Sequence, residues 1–168
     1  MGPTDLAREA RPVVSLRAKV TKTARSTILV VDDEPEVLSM AADMLRMIGY
    51  SVLSAGDSLE AIRIARTRSG PLHLLLTDIV MPVMTGRDLA EEFRAIRPSV
   101  KILFMSAYSP ASIEKYRVRL GPGEPFLAKP FTIGQLRATV RAALLYRRPS
   151  SSDRAAVNDH RPRPRNAN

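Results

Sequence analysis

Three apolar runs in this chain stop at charged residues, and that pattern restricts the fold more than any other feature. ILVVDD ends at Asp32 and Asp33, LLLTD ends at Asp78, and PFLAKP ends at Lys129, followed by Pro130. An apolar run cut off by a charge reads as a buried parallel strand that carries the charged group to the sheet's carboxyl edge. Open parallel sheets hold their chemistry at that edge. Three acids on adjacent strands repel one another unless a divalent cation lies among them. A lysine beside them points to the arrival of something more negative, a phosphoryl group.

Helical periodicity fills the gaps between such runs. Thr27–Val31 reads as the first strand. Pro35 opens a helix with Val37, Leu38, Ala41, Met44, Leu45 and Ile48 on one face, and Gly49 stops it. Tyr50–Ala55 is a second strand. Asp57 and Glu60 form a capping-box pattern before Ala61, Ile62 and Ala65. His73–Thr77 is a third strand, and MPVMTG a loop. Leu89, Ala90, Phe93 and Ile96 mark a third helix that ends before Pro98. Val100–Met105 is a fourth strand. Ser109-Pro110 starts a helix that GPGEP soon breaks. Pro125–Ala128 is a short fifth strand, and Thr132 with Gln135 caps a last helix carrying Ile133, Leu136, Val140 and Leu144. Five strands alternate with five helices. Right-handed crossovers make this a doubly wound α/β sandwich in strand order 2-1-3-4-5.

The chain has 168 residues and a net charge of +9, unevenly spread. Residues 1–27 hold six basic and two acidic residues, and residues 147–168 hold the same numbers. The part between is nearly neutral. The expected organisation is a basic tail over 1–26, a folded unit over 27–146 and a basic, disordered tail over 147–168. Val13, Val14, Leu16 and Val20 allow a marginal helix after Pro12. No 18-residue apolar run or secretory signal is visible, and there is no cysteine, so a cytoplasmic protein without disulfides is expected.

Strand order 2-1-3 brings Asp32, Asp33 and Asp78 together. An acidic pair after a strand is commonly no more than a helix cap, and a strand-end lysine commonly faces solvent. Their conjunction on one edge is what points to a site. A hard cation, Mg²⁺ or else Mn²⁺, suits the oxygen donors. Ser106 ends the fourth strand and turns its hydroxyl toward the same pocket. A cis Lys129–Pro130 bond would turn the lysine inward.

The ordered set VVDDE, TDIVMPVMTG, SAY and FLAKPF resembles the receiver domain of two-component response regulators across residues 27–146. It is similar in style to receivers of hybrid histidine kinases. The resemblance implies that Asp78 accepts a phosphoryl group from a histidine kinase or phosphotransfer protein. It implies direct Mg²⁺ binding by Asp33, Asp78 and the Val80 carbonyl, with Asp32 acting through a metal-bound water. Lys129 and Ser106 would hold phosphoryl oxygens, and Phe126 would swing into the space that Ser106 vacates. Phe126 departs from the commoner tyrosine, so packing rather than a hydroxyl must carry any switch there.

No helix-turn-helix or output-enzyme segment follows the last helix, and a single-domain regulator is the leading expectation. A second reading gives the basic tails an output role on nucleic acid or another anionic partner. A third is a Mg²⁺-dependent phosphohydrolase with an aspartyl nucleophile. Such enzymes use a second acid two residues beyond the nucleophile, and that position is Val80.

Overall fold

Every residue of β1 (Thr27–Val31) is buried, and its side chains divide between two cores. Ile28 and Val30 join one cluster; Leu29 and Val31 join the other. Period-two alternation therefore serves both faces of the sheet, which explains why no polar side is visible in the run. The computed structural model describes residues 25–114, 119–121 and 123–146.

The other strands are β2 (Ser51–Ala55), β3 (Leu74–Asp78), β4 (Lys101–Ser106) and β5 (Phe126–Ala128). All pairings are parallel, in the order β2-β1-β3-β4-β5. The expected topology is met, with strand limits displaced by a residue at β2, β3, β4 and β5. Among the described residues, α1 (Pro35–Met47), α2 (Ser58–Thr67), α3 (Gly86–Ile96) and α4 (Pro110–Ile113) lie between successive strands, and α5 (Ile133–Leu145) follows β5. Ala41 and Leu45 of α1 share a core with Leu136, Val140 and Ala143 of α5. Ala61 and Ala65 of α2 share the opposite core with Leu89 and Phe93 of α3.

Local chemistry sets the helix starts. Thr132 accepts from the Gln135 amide while Gln135 accepts from the Thr132 amide, the reciprocal pair expected from the sequence. At α2 only half of the expected box forms. Asp57 accepts from the Glu60 amide at 2.7 Å, but Glu60 Oε2 takes the Gly56 amide at 3.1 Å instead of that of Asp57. A complete box also stands at Thr85 and Asp88, at the end of the stretch read only as a loop. The fourth helix is a single turn. The expected N-terminal helix, residues 1–24 and 147–168 of the two tails, and part of the α4–β5 connection lie outside the described residues.

Candidate functional site

β1 and β3 are adjacent, with Val31 opposite Thr77, so Asp32 and Asp78 emerge side by side. Asp32 is fully buried and Asp78 is 5% exposed. Lys129 arrives from the end of β5, held by its own amide, which donates to the Ser106 carbonyl at 2.8 Å. The Lys129–Pro130 bond is cis, as expected. The Lys129 ammonium stands 2.7 Å from Asp32 Oδ2 and 2.7 Å from Asp78 Oδ1. The repulsion between these two carboxylates is thus relieved here by the lysine. Asp33 is exposed and stands apart from the bridge.

The remaining oxygens are held by backbone. Val80 N–H donates to Asp78 Oδ2 at 2.7 Å, and Glu34 N–H donates to Asp32 Oδ1 at 3.0 Å. Ser106 is 1% exposed, and its Oγ accepts from the Tyr108 amide at 3.1 Å. Phe126 is half-buried against Ile79, Ala90, Phe104 and Ile113. Asp33, Asp78, Val80, Ser106 and Lys129 line one open cleft of about 240 Å³. The structure brings these five together, with Asp32 fully buried against Lys129 and Phe126 on the neighbouring core.

Electrostatics follow from two acids sharing one ammonium. Burial pushes the Asp78 carboxyl up; the Lys129 hydrogen bond and charge pull it down, and the Asp32 charge pushes it up again, leaving it above the usual value. Burial alone would lower Lys129. Its hydrogen bonds and charge contacts with Asp32 and Asp78 outweigh that effect and hold it above the ordinary lysine value.

The donor chemistry fits a small hard cation. Asp32 Oδ2 is buried against the Lys129 ammonium at 2.7 Å, which leaves it reachable by a bound water but not directly by a second cation. Asp33 and Asp78 offer carboxylates to the same open cleft. Among the described residues no three acidic or histidine side chains close into a metal cage. Mg²⁺ needs no such cage, because it uses one or two carboxylates and retains several waters.

Two residues support the site in ways the sequence did not assign: Gly86, seen there only as a motif residue, and Glu124. An ideal Cβ at Gly86 would sit 2.0 Å from the Asp78 carbonyl oxygen, so only glycine lets α3 start against the strand end that carries Asp78. The signal was present, since Gly86 closes MPVMTG. The other is Glu124, which takes Arg87 at 2.7 Å, Arg94 at 3.3 Å and the Gly121 amide at 2.8 Å. It pins the α4–β5 connection to α3 above Phe104, whose ring lies 6.0 Å from the Arg87 guanidinium. The amide and the two arginines outweigh burial and hold the Glu124 carboxyl below its usual value.

Comparison with known proteins gives the same architecture. Residues 28–141 match the family model for the response regulator receiver domain. The sensor kinase CckA of Brucella abortus is 34% identical over 140 residues, covering 79% of this chain and 14% of that protein. The transcriptional regulatory protein PrrA of Mycobacterium tuberculosis is 38% identical over 126 residues, covering 74% of this chain and 52% of that one. The chain therefore spans about half or less of these curated relatives. Among solved structures, the receiver domain of the hybrid histidine kinase CckA is 35% identical with a TM-score of 0.58, covering 71% of this chain and 99% of that one. The chemotaxis regulator CheY4 of Vibrio cholerae is 27% identical with a TM-score of 0.60, covering 71% and 98%. With its sheet order, its carboxyl-edge acids and lysine, and a family match over most of its folded part, the chain belongs to the response regulator receiver domain family of two-component signalling.

Proposed function

We propose that Asp78 accepts a phosphoryl group from the phosphohistidine of a histidine kinase or histidine phosphotransfer protein. The observation that carries this reading is the Lys129 ammonium between Asp32 and Asp78, 2.7 Å from each, at an open cleft. An Asp78 oxygen attacks phosphorus as the phosphorus–nitrogen bond to the donor imidazole breaks. The imidazole leaves and takes its proton from solvent. Val80 N–H and Lys129 fix the two Asp78 oxygens, which orients the nucleophile before the donor arrives.

Receiver domains in general bind Mg²⁺ at the phosphorylation site. Here Asp33, Asp78 and the Val80 carbonyl would hold Mg²⁺ (or Mn²⁺), with Asp32 acting through a bound water. The cation would neutralise charge on the transferring group. Lys129 then pairs with a phosphoryl oxygen. Ser106 Oγ accepts from Tyr108 and still carries its own proton, which it donates to another. Contacts made only with the phosphorylated form bias the β4–α4 loop and the packing of Phe126, which is a population shift.

On this reading the 27–146 unit is a cytoplasmic phosphorylation switch flanked by basic segments. It is a signalling module and not a turnover enzyme. Val80 occupies the position where an aspartyl phosphohydrolase needs a general acid, and valine has no proton to give. The test is a phosphotransfer profile of the full chain against the host's histidine kinases, with Asp78→Asn as control. Rapid transfer from a preferred kinase, lost in the variant, supports the reading. Transfer that persists in the variant removes Asp78 from its role.

A further inference from the structure

A second cavity adjoins the acceptor cleft. Leu59, 62% exposed in the first turn of α2, and Val83, 91% exposed in the β3–α3 loop, border one groove of about 270 Å³. Met81 and Pro82 add to its apolar lining. Asp33 lines both this groove and the acceptor cleft, so the two cavities adjoin at that residue. Val83 is held in the left-handed region, with φ +68°. The Met84 amide donates to the Pro82 carbonyl at 2.7 Å and closes a three-residue turn around Val83. This is the strained form of the γ-turn. A β-branched residue is poorly tolerated there, whereas glycine would adopt the conformation freely. The valine side chain gains almost no burial within the domain to offset that strain. The place left for a compensating contact is outside the domain. Ser58 also lines the groove; it is 1% exposed, and its Oγ has no hydrogen-bond partner among the described residues. A buried hydroxyl in that state favours an occupant that brings a polar group with it.

Position and charge select the occupant. The charged side chains lining the groove, Asp33 and Asp57, are both exposed carboxylates. Nucleic acid and anionic lipid would be repelled there, and so would a second copy presenting the same acids. A phosphoryl donor has to lay its phosphohistidine in the acceptor cleft, so the surface around that histidine lies across the cleft rim, of which Asp33 is part. The groove is the apolar continuation of that rim. We propose that it receives an apolar side chain of the phosphoryl donor, carried beside the phosphohistidine and flanked by basic rather than acidic residues. Leu59 and Val83 are then specificity-determining residues for phosphotransfer. They act on docking of the donor and not on the transfer step. The inference rests on Asp78 being the acceptor.

The experiment compares two donors on the full chain with Mg²⁺. One is the host histidine kinase that gives the fastest transfer; the other is a small acyl phosphate, which cannot span the groove. In Leu59→Ser/Val83→Gly, kcat/KM for transfer from the kinase should fall at least about tenfold, mainly through KM. Labelling of Asp78 by the acyl phosphate should match wild type. Val83→Gly alone, which removes strain and adds none, should lose at least about threefold with the kinase. Its circular dichroism spectrum should be unchanged. Wild-type kcat/KM with the kinase in either variant would overturn the proposal. An equal fall with both donors would overturn it too, because the groove would then be shaping the acceptor site. If wild type sediments as a dimer and the double variant as a monomer, the occupant is a second copy and the proposal falls. Failure of the acyl phosphate to label Asp78 in wild type would instead refute the acceptor reading, and this inference with it.

Discussion

Replacing Gly86 with alanine tests whether the start of α3 truly leans on the backbone of the acceptor residue. The new Cβ would lie 2.0 Å from the Asp78 carbonyl oxygen, 3.0 Å from its carbon and 3.1 Å from Ile79 Cα. Ordinary contact begins at 3.4 Å, so the oxygen contact is short by 1.4 Å, and both groups are backbone. The strand end or the helix start must move. Either movement strains the Gly86 N–H bond to the Ile79 carbonyl, now 2.9 Å. Overpacking of this kind costs about 1–3 kcal/mol. Leaving a buried amide without its acceptor adds about 1–3 kcal/mol. The intrinsic helix preference of alanine returns at most about 1 kcal/mol. The net is a loss of about 3 kcal/mol, a large fraction of the roughly 5–15 kcal/mol that holds a domain together.

Urea unfolding followed by circular dichroism reads this directly. With a slope of about 2 kcal/mol per molar, the midpoint should fall by roughly 1.5 M. Gly134→Ala is the internal control, because its Cβ would meet nothing closer than Thr132 Oγ1 at 3.8 Å. It lies in the exposed first turn of α5 and should gain up to about 1 kcal/mol. A Gly86→Ala midpoint equal to wild type would refute the close-approach argument, since no relaxation confined to flexible side chains can open that contact.

Asp78→Asn should raise the thermal midpoint at neutral pH. The Asp78 pKa is raised in the fold, so its ionised form is disfavoured there, and the gain should vanish as pH falls through that raised value toward 3.8. No gain at neutral pH would contradict the burial argument. Lys129→Met should destabilise by about 2 kcal/mol through loss of charged hydrogen bonds. Because the Lys129 pKa is raised, that difference should be full below 10.5 and shrink only as pH climbs through the higher folded value. A difference that already fades below 10.5 would show the bridge to be misassigned. Val80→Asn should shorten the phosphoryl lifetime, because asparagine can hydrogen-bond an approaching water and valine cannot; an equal or shorter lifetime in the valine form would sink the idea.

The strands and the edge they serve were legible because three of the five apolar runs stop abruptly at a charge. The positions of Asp32, Asp78 and Lys129 follow from that pattern and the topology alone. Their pairing does not. Whether the Lys129 ammonium reaches both carboxylates depends on where β5 ends in space, which the local sequence does not give. Asp33 shows the same limit: its neighbour is fully buried while it is exposed, a difference that adjacent letters cannot reveal. The Thr85–Asp88 box follows the capping spacing, but it uses Asp88 in place of the usual Glu or Gln and has a glycine at the first helical position. Glu124 was hidden for a different reason. Its partners lie 30 and 37 residues earlier in the chain, and GPGEP reads locally only as a helix breaker.

The central claim is that Asp78 is the phosphoryl acceptor. Its most direct test exposes the full chain to a small acyl phosphate with Mg²⁺, then maps the modification by intact mass and by peptide sequencing after reductive trapping. The account predicts one phosphoryl group per chain, located on Asp78 and absent from Asp78→Asn. A phosphoryl group on any other residue, or undiminished labelling of Asp78→Asn, would contradict it.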